Sequence, residues 1–133
     1  MMSEREIPSP ELVRRKLLGA VGLAAKARRC VAGTQLCVET MRSDKGVLLA
    51  AARDISDNTK KRLFGAALAH RIPFVLPDVT KAELAHAAGK KADAAAVLFM
   101  DEGFVKIIDK LGMEIHTTNT EVLNLYGSKH TEV

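Results

Sequence analysis

The chain has 133 residues, enough for one sizeable hydrophobic core, and its length favours a single domain. Its composition, 47% apolar and 27% charged, is ordinary for a soluble globular protein, and no apolar run approaches the roughly 20 residues of a membrane span. The net charge of +4 favours an anionic partner.

The first predicted elements are a helix, a short strand and a second helix. Ser9 is expected to cap the first helix and Pro10 to be its first residue, with apolar residues on one face as far as the basic run at residues 26–29. A short strand at residues 30–32 leads into a second helix over residues 34–42.

The rest of the chain continues the alternation of strand and helix. The apolar runs at residues 47–52 and 94–100 are typical of strands covered by helices on both faces, and prolines bound a third strand at residues 73–77. Helices are predicted to begin after Ser56, at the capping box that starts with Thr80, and after Asp101. These elements predict an α/β fold, a three-layer α/β/α sandwich around a small mixed four-stranded sheet.

This alternation defines one domain at residues 10–111. Residues 112–133 lack a strong apolar period and are expected to form a C-terminal tail, with a docked turn at Val122, Leu123 and Leu125 as the alternative.

Positive charge is concentrated in the first half of the chain. Residues 14–62 contain twelve basic and four acidic residues, an excess of about eight positive charges, and the remainder is correspondingly acidic. Such an excess suits phosphate groups, because basic side chains release the counterions of a nucleic acid.

The cysteines and the N-terminal segment indicate a cytoplasmic protein. Cys30 and Cys37 lie in apolar stretches without metal-binding spacing and are expected to be buried free thiols. The first six residues lack the apolar segment of a secretory signal.

No catalytic motif is present in the sequence. Gly89-Lys90-Lys91 lacks the spacing of a P-loop, no dinucleotide-binding glycine motif follows a strand, and the four histidines are not at zinc spacing. Asp101-Glu102 is explained by helix capping. We therefore expect a chain that is not an enzyme and that uses no metal and no small-molecule cofactor.

Four segments are predicted to meet at one end of the sheet and to form an anion site. They are Arg28-Arg29, Gly33-Thr34-Gln35, residues 56–61 with Asn58, Lys60 and Lys61, and Gly89-Lys90-Lys91. Loop ends of α/β sheets favour ligands, and the N–H groups at a helix start suit phosphates and electronegative base edges. Aromatic residues make up only 4% of the chain, which argues against stacking of single-stranded bases and favours folded RNA.

The order of several short motifs resembles the ribosomal protein L-seven-Ae superfamily, and within it the small bacterial YlxQ-like proteins. The resemblance covers roughly residues 17–108. The motifs are Leu23-Ala24-x-Lys26-Ala27, Val31-Ala32-Gly33-Thr34, Asp54-x-Ser56-x-Asn58-Thr59-Lys60-Lys61, Leu84-Ala85-His86-Ala87-Ala88-Gly89-Lys90, Ala94-Ala95-Ala96-Val97 and Asp101-Glu102-Gly103-Phe104. The resemblance implies an α/β/α sandwich that binds kink-turn or similarly bent RNA, without catalysis and without a cofactor.

The resemblance also implies roles for individual residues. In the superfamily the start of the second helix reads guanine edges in G·A pairs, and the loop before the last strand packs against an extruded base. The predicted RNA-binding residues, including those carried over, are Arg28, Arg29, Gly33, Thr34, Gln35, Leu36, Glu39, Asn58, Lys60, Lys61, Gly89, Lys90, Lys91 and Ala92.

Two departures from the pattern of the better-studied relatives involve three residues. Those relatives have Asn-Glu after Gly-Thr and a Lys beyond it, whereas this chain has Gln35-Leu36 and then Glu39. The expected function is binding of structured RNA, kink-turn-like or ribosomal, in association with ribosomes or translation. A protein–protein adaptor of the same fold that has lost specific RNA recognition is the alternative, and a detached recognition domain of an RNA-modifying enzyme is a third hypothesis.

Overall fold

The computed structural model describes residues 9–117. Helices and strands alternate through this range, and none of these helices combines the length and apolar character needed to span a bilayer. In chain order the elements are α1 (Pro10–Lys26), β1 (Cys30–Ala32), α2 (Thr34–Arg42), β2 (Leu48–Ala51), α3 (Asp57–Ala69), β3 (Phe74–Val75), α4 (Lys81–Ala87), β4 (Ala96–Phe99) and α5 (Glu102–Lys110).

The four strands form one mixed sheet, as predicted. Its order is β1-β4-β2-β3, with β4 antiparallel to both of its neighbours and β2 parallel to β3. Leu98 of β4 lies opposite Val31 of β1 on one side and opposite Leu49 of β2 on the other. The strand β4 therefore joins the two halves of the sheet.

Helices cover both faces of the sheet and confirm the predicted sandwich. Alternate residues of β2 enter different cores: Leu48 and Ala50 pack with α1, α4 and α5, whereas Leu49 and Ala51 pack with α2 and α3. All four residues are buried, because both faces of the sheet are covered. This explains why the strands are continuously apolar.

The predicted helix starts are confirmed by their capping hydrogen bonds. Ser9 Oγ accepts from the N–H of Leu12 at 3.1 Å, and Ser56 Oγ accepts from the N–H of Thr59 at 3.1 Å. Thr80 begins the predicted capping box, and the Asp101 carboxylate accepts from the N–H of Gly103 at 2.8 Å. Local side-chain chemistry is sufficient to locate these ends.

Strand β1 has the predicted bounds, and the other three strands are shorter than predicted. The runs at residues 47–52, 73–77 and 94–100 form regular strands only over Leu48–Ala51, Phe74–Val75 and Ala96–Phe99. Beyond these bounds the N–H of Ala52 still donates to the Ala95 carbonyl at 2.8 Å, and Ala52, Ala94 and Ala95 are buried. Apolar character therefore reports burial and does not by itself define where a regular strand begins and ends.

Every helix is followed by one residue in the left-handed conformation. At the end of α1 the N–H of Arg28 donates to the Ala25 carbonyl at 3.1 Å, and the N–H of Arg29 donates to the Ala24 carbonyl at 2.7 Å, which is the Schellman arrangement. Glycine is usual at this position, but only two of the five helices have it. The residues and their φ angles are Arg28 (57°), Asp44 (58°), Arg71 (56°), Gly89 (73°) and Gly112 (80°).

Packing continues past residue 111. Met113 and Ile115 contact the core beneath α1, and the backbone of His116 exchanges hydrogen bonds of 2.8 and 2.9 Å with Phe74 at the edge of β3. The predicted docked turn at residues 122–125 and the rest of the predicted tail beyond residue 117 lie outside the described residues.

Candidate nucleic-acid interface

Three of the four predicted segments project from one end of the sheet. Because β4 runs opposite to β1 and β2, the last residues of these two strands lie beside the start of β4: Ala32 is opposite Val97, and Ala51 is opposite Ala96. The β1–α2, β2–α3 and α4–β4 connections therefore leave the sheet together. We call this the loop end, defined by Gly33 to Gln35, residues 56–61 and residues 89–92.

The fourth segment, Arg28-Arg29, enters β1 from the opposite end. The Arg29 carbonyl accepts a hydrogen bond of 2.8 Å from the N–H of Met100, and the Arg29 Nε lies 3.9 Å from a carboxylate oxygen of Asp101. Arg29 thus lies where β4 ends, away from the loop end. The expectation that all four segments meet fails for Arg29, because the direction of β1 places its first and last residues at opposite ends.

Arg28 lines a groove along the outer edge of β1, and Lys90 of the loop end lines the same groove. The groove has a volume of about 300 Å³ and is lined by six apolar residues and two cationic residues. We call it the β1 groove; it is lined by Ala25, Arg28, Cys30, Val31, Ala32, Leu36, Ala88 and Lys90.

The parallel packing of α1 and α4 explains why Arg28 and Lys90 share this groove. Arg14 near the start of α1 bonds to Glu83 near the start of α4 at 2.6 Å, and a Cβ added at Gly22 would lie 3.5 Å from the Ala87 carbonyl oxygen. The two helices thus end side by side, and each is followed within three residues by a basic side chain.

The start of α2 offers unsatisfied backbone donors. Its N-cap, Gly33, has a φ of 103° and provides no side-chain cap. The N–H of Gly33 is used by the Ala96 carbonyl at 2.9 Å, but within residues 9–117 no hydrogen bond satisfies the N–H groups of Thr34, Gln35 and Leu36. These donors lie at the positive end of the helix dipole, which favours an anion or an electronegative base edge.

The three residues that depart from the pattern of the relatives lie on the exposed face of α2. The Gln35 amide donates to the Glu39 carboxylate at 3.0 Å, so one side-chain donor of Gln35 is already engaged. Leu36 is 45% exposed and lines the β1 groove. This face of α2 therefore presents an apolar side chain and a carboxylate beside the free N–H groups.

The remaining predicted residues lie at the loop end, and of these only Lys90 also lines the β1 groove. Asn58 and Lys61 at the start of α3 are exposed, and Lys60 is half-buried. In the α4–β4 connection Gly89, Lys90, Lys91 and Ala92 are all exposed. These side chains are available to a partner that covers the loop end.

The cysteines are buried to different degrees, and both remain free. Burial raises the pKa of Cys37 to about 12, and its Sγ lies 3.6 Å from the carbonyl oxygens of Val31 and Ala96. Partial burial also raises the pKa of Cys30 in the β1 groove, and the positive charge of Lys90 opposes that rise. Within residues 9–117, no His, Cys, Asp or Glu residues group as they would to hold a metal ion.

Sequence reasoning missed the apolar floor of the groove. Ala25 of α1 and Val31 of β1 lie close together in the sequence, Ala88 follows α4 much later in the chain, and each is unremarkable in its own segment. No local signal could have identified them, because the groove exists only after α1, β1 and α4 have packed.

A profile of the ribosomal protein L7Ae/L30e/S12e/Gadd45 family matches residues 15–109. The chain belongs to this family. The matched range includes α2, the β1 groove and the loop end.

Two relatives of this L7Ae-family protein agree with the assignment. The RNA-binding protein YlxQ of Enterococcus faecium is 30% identical over 94 residues, which are 70% of this chain and 87% of the relative. The RNA-binding protein YlxQ of Bacillus subtilis (strain 168) is 30% identical over 92 residues, which are 68% of this chain and 90% of the relative. The predicted resemblance to YlxQ-like proteins is confirmed, and these names describe binding proteins, in agreement with a non-enzymatic chain.

Solved structures share the fold of this L7Ae-family protein. A protein of unknown function from Bacillus halodurans C superposes with a TM-score of 0.62 at 27% identity, covering 70% of this chain and 96% of its own. The Giardia lamblia 15.5kD RNA binding protein also gives a TM-score of 0.62, at 19% identity, covering 84% of this chain and 95% of its own. The second likeness bears on the fold alone.

Proposed function

We propose that this protein binds structured RNA, kink-turn-like or ribosomal, through the loop end and the β1 groove, and that it acts with ribosomes or in translation in the cytoplasm. The observation that carries the proposal is the meeting of the uncapped start of α2 with a groove that holds Arg28 and Lys90. Free N–H groups next to two cations match a phosphate backbone and the base edges beside it.

The chemistry of the surface favours folded RNA over an extended single strand. Within residues 9–117, Phe64, Phe74 and Phe99 are buried, Phe104 is half-buried, and Trp and Tyr are absent. Exposed aromatic rings are the usual platforms for unpaired bases in succession. A surface of backbone donors and cations suits a bent RNA, whose shape brings phosphates and base edges to fixed positions.

Individual residues take distinct roles in this proposal. The N–H groups of Thr34, Gln35 and Leu36 contact base edges, and the Gln35 amide joins them when it leaves Glu39. Arg28 and Lys90 hold the phosphates beside the groove. Lys60, Lys61 and Lys91, with Asn58, contact the backbone that crosses the loop end.

The names of the relatives support RNA as the partner. Both YlxQ proteins are described as RNA-binding, and the family description begins with ribosomal proteins. This makes ribosomal RNA the first RNA to be tested.

The test is a salt titration of RNA affinity with a matched pair of double variants. Arg28→Ala with Lys90→Ala removes two proposed phosphate contacts, so the slope of log affinity against log salt should decrease in magnitude by about 2. The control, Arg42→Ala with Arg71→Ala, removes the same charge from exposed positions in the last turn of α2 and after α3, at the opposite end of the sheet. Equal slopes for both double variants would refute binding at the loop end.

A protein–protein adaptor is the second candidate, and exposed Leu36 favours it. An apolar side chain that is 45% exposed in a groove is typical of a protein contact, and Glu39 beside it repels phosphate. Leu36→Ser distinguishes the two functions when purified protein is titrated with ribosomal RNA and with nuclease-treated ribosomal proteins. Binding of the wild-type protein to the ribosomal proteins and not to the RNA, with loss of that binding in Leu36→Ser, would support the adaptor and oppose the RNA proposal.

A further inference from the structure

The β2–α3 connection contains a carboxylate that is unfavourable for contact with RNA. Asp54 is one of only four acidic residues among residues 14–62, where twelve are basic. It is exposed and lies two residues before the segment 56–61 of the loop end. A carboxylate at this place repels phosphates, so a direct contact with RNA does not explain it. Its hydrogen bond within the protein gives it another role.

Asp54 is bonded to the first residue of α4, which also holds the α4–β4 connection. The Asp54 carboxylate accepts from the N–H of Lys81 at 2.8 Å. The carbonyl of the same Lys81 accepts from the N–H of Ala94 at 3.2 Å, where the α4–β4 connection approaches β4. The backbone of Lys81 thus lies between the β2–α3 and α4–β4 connections and is bonded to both.

This bond is not needed to begin α4. Thr80 Oγ1 accepts from the N–H of Glu83 at 3.1 Å, and the Glu83 carboxylate accepts from the N–H of Thr80 at 2.9 Å. This capping box defines the helix start with residues of α4 and its own cap. Asp54 reaches the helix start from 27 residues earlier in the chain. Its bond therefore acts on the relative position of two segments.

A second bond from the same connection makes that position specific. The N–H of Arg53 donates to the Val79 carbonyl at 2.8 Å, immediately before the bond of Asp54 to Lys81. One bond alone leaves a segment free to rotate, whereas two successive bonds fix its direction as well. The direction in which the chain enters α3 is therefore set against the start of α4.

The basic side chains of the loop end come from the two connections that Lys81 joins. Lys60 and Lys61 lie in the first turn and a half of α3, and Lys90 and Lys91 lie in the α4–β4 connection. Like charges repel, which favours separation of the two connections when no RNA is bound. Binding to one RNA requires both pairs of lysines at a fixed spacing.

We propose that Asp54 is a positioning residue for RNA binding, and that its bond to the N–H of Lys81 holds the start of α3 at a fixed place relative to residues 89–92. The inference rests on the proposed function and adds to it a residue that does not contact the RNA. Affinity gains from this arrangement because the loop end is ordered before the RNA arrives.

The first test compares two substitutions of Asp54. Asp54→Ala removes both the charge and the acceptor, whereas Asp54→Asn removes the same charge and retains an oxygen that can accept from Lys81. Positioning predicts that Asp54→Ala binds ribosomal RNA about 2- to 30-fold more weakly than Asp54→Asn does, the range for residues that act without touching the ligand. Urea unfolding verifies that both variants are folded. A purely structural role would lower the free energy of unfolding in Asp54→Ala and leave the affinity of the folded protein unchanged.

The second test removes the donor of the same hydrogen bond. Lys81→Pro eliminates the N–H, and Lys81→Ala removes the same charge but keeps the N–H. Proline is favoured at the first residue of a helix, and the extended conformation of Thr80, with a ψ of 166°, suits a following proline. Lys81→Pro should bind ribosomal RNA more weakly than Lys81→Ala, by the factor found for the Asp54 pair. If Asp54→Ala fails to fold, the Lys81 pair decides.

A double variant assigns both losses to one bond. Asp54→Ala with Lys81→Pro should lose no more affinity than either change alone, each compared with its matched control, because the bond can be removed only once. Additive losses, or equal affinities within each matched pair, would overturn the positioning role and leave the RNA proposal in place. Absence of salt-dependent binding of ribosomal RNA to the wild-type protein would overturn the proposed function itself.

Discussion

Arg28 combines a conformational cost with a position in the β1 groove. It has a φ of 57° in the place after α1 where glycine is usual, and it lines the groove with Lys90. The left-handed conformation costs a residue with a side chain roughly 1–2 kcal/mol. In the proposed function, the contact of Arg28 with an RNA phosphate offsets this cost.

Replacement of Arg28 by glycine should therefore stabilise the fold and weaken RNA binding. Arg28→Gly should raise the free energy of unfolding by up to about 1 kcal/mol in urea, since the added freedom of the unfolded chain offsets part of the relief. RNA affinity should fall about tenfold, because a charged contact is lost.

Arg71 is the matched control for this change. It occupies the same left-handed position after α3, with a φ of 56°, but lies at the opposite end of the sheet from the loop end. Arg71→Gly should give the same stabilisation and leave RNA affinity unchanged. A similar loss of affinity in both variants would mean that net charge, and not the groove, controls binding.

Cys37 should make the fold sensitive to alkaline pH. Burial raises its pKa to about 12, and the neighbouring Cys30 adds to the rise, whereas an unfolded cysteine has a pKa of about 8.5. Above about pH 8.5 the unfolded state therefore binds fewer protons than the folded state. The free energy of unfolding then falls by about 1.4 kcal/mol per pH unit as the pH rises towards 12. Urea unfolding at several pH values should show this dependence of the unfolding free energy on pH. Cys37→Ala should reduce its slope by the amount that corresponds to about one proton. An unchanged slope in Cys37→Ala would contradict the assignment.

At the scale of elements, prediction from the sequence succeeded where the determinants are local. The caps at Ser9, Ser56, Thr80 and Asp101 are bonded within a few residues, and α2 has the predicted bounds. Apolar runs located all four strands and gave β1 its observed bounds, but they overestimated the lengths of the other three, because burial extends beyond the regular strands.

The candidate site was less predictable because it depends on pairing between distant segments. The extended strand β1 places Arg29 and Gly33 at opposite ends of the sheet, although only three residues lie between them. The packing of α1 beside α4 brings Arg28 to Lys90 across 61 intervening residues. His116 likewise joins the edge of β3 from a stretch that has no strand pattern. None of these spatial arrangements can be recognised from the sequence of the segments involved.

At the scale of the whole molecule, β4 couples the site to both cores. It pairs with β1, whose outer edge forms the groove, and with β2, whose residues enter the cores on both faces of the sheet. Leu98 at its centre is fully buried and packs against α2 and α3. A substitution that destabilises this strand should therefore destabilise the entire fold.

Leu98→Ala tests this coupling. Loss of the buried side chain should lower the free energy of unfolding by about 3 kcal/mol, the typical cost of a cavity in a packed core. Because both cores are built on the same strand, fluorescence of a probe attached at Cys30 and far-ultraviolet circular dichroism should report one coincident transition in urea. Leu23→Ala is the control: that leucine is 59% exposed, and its replacement should change stability by less than about 0.5 kcal/mol. Separate transitions for the two signals in Leu98→Ala would mean that the β1 edge unfolds independently, and the geometry of the groove would then not be held by the sheet.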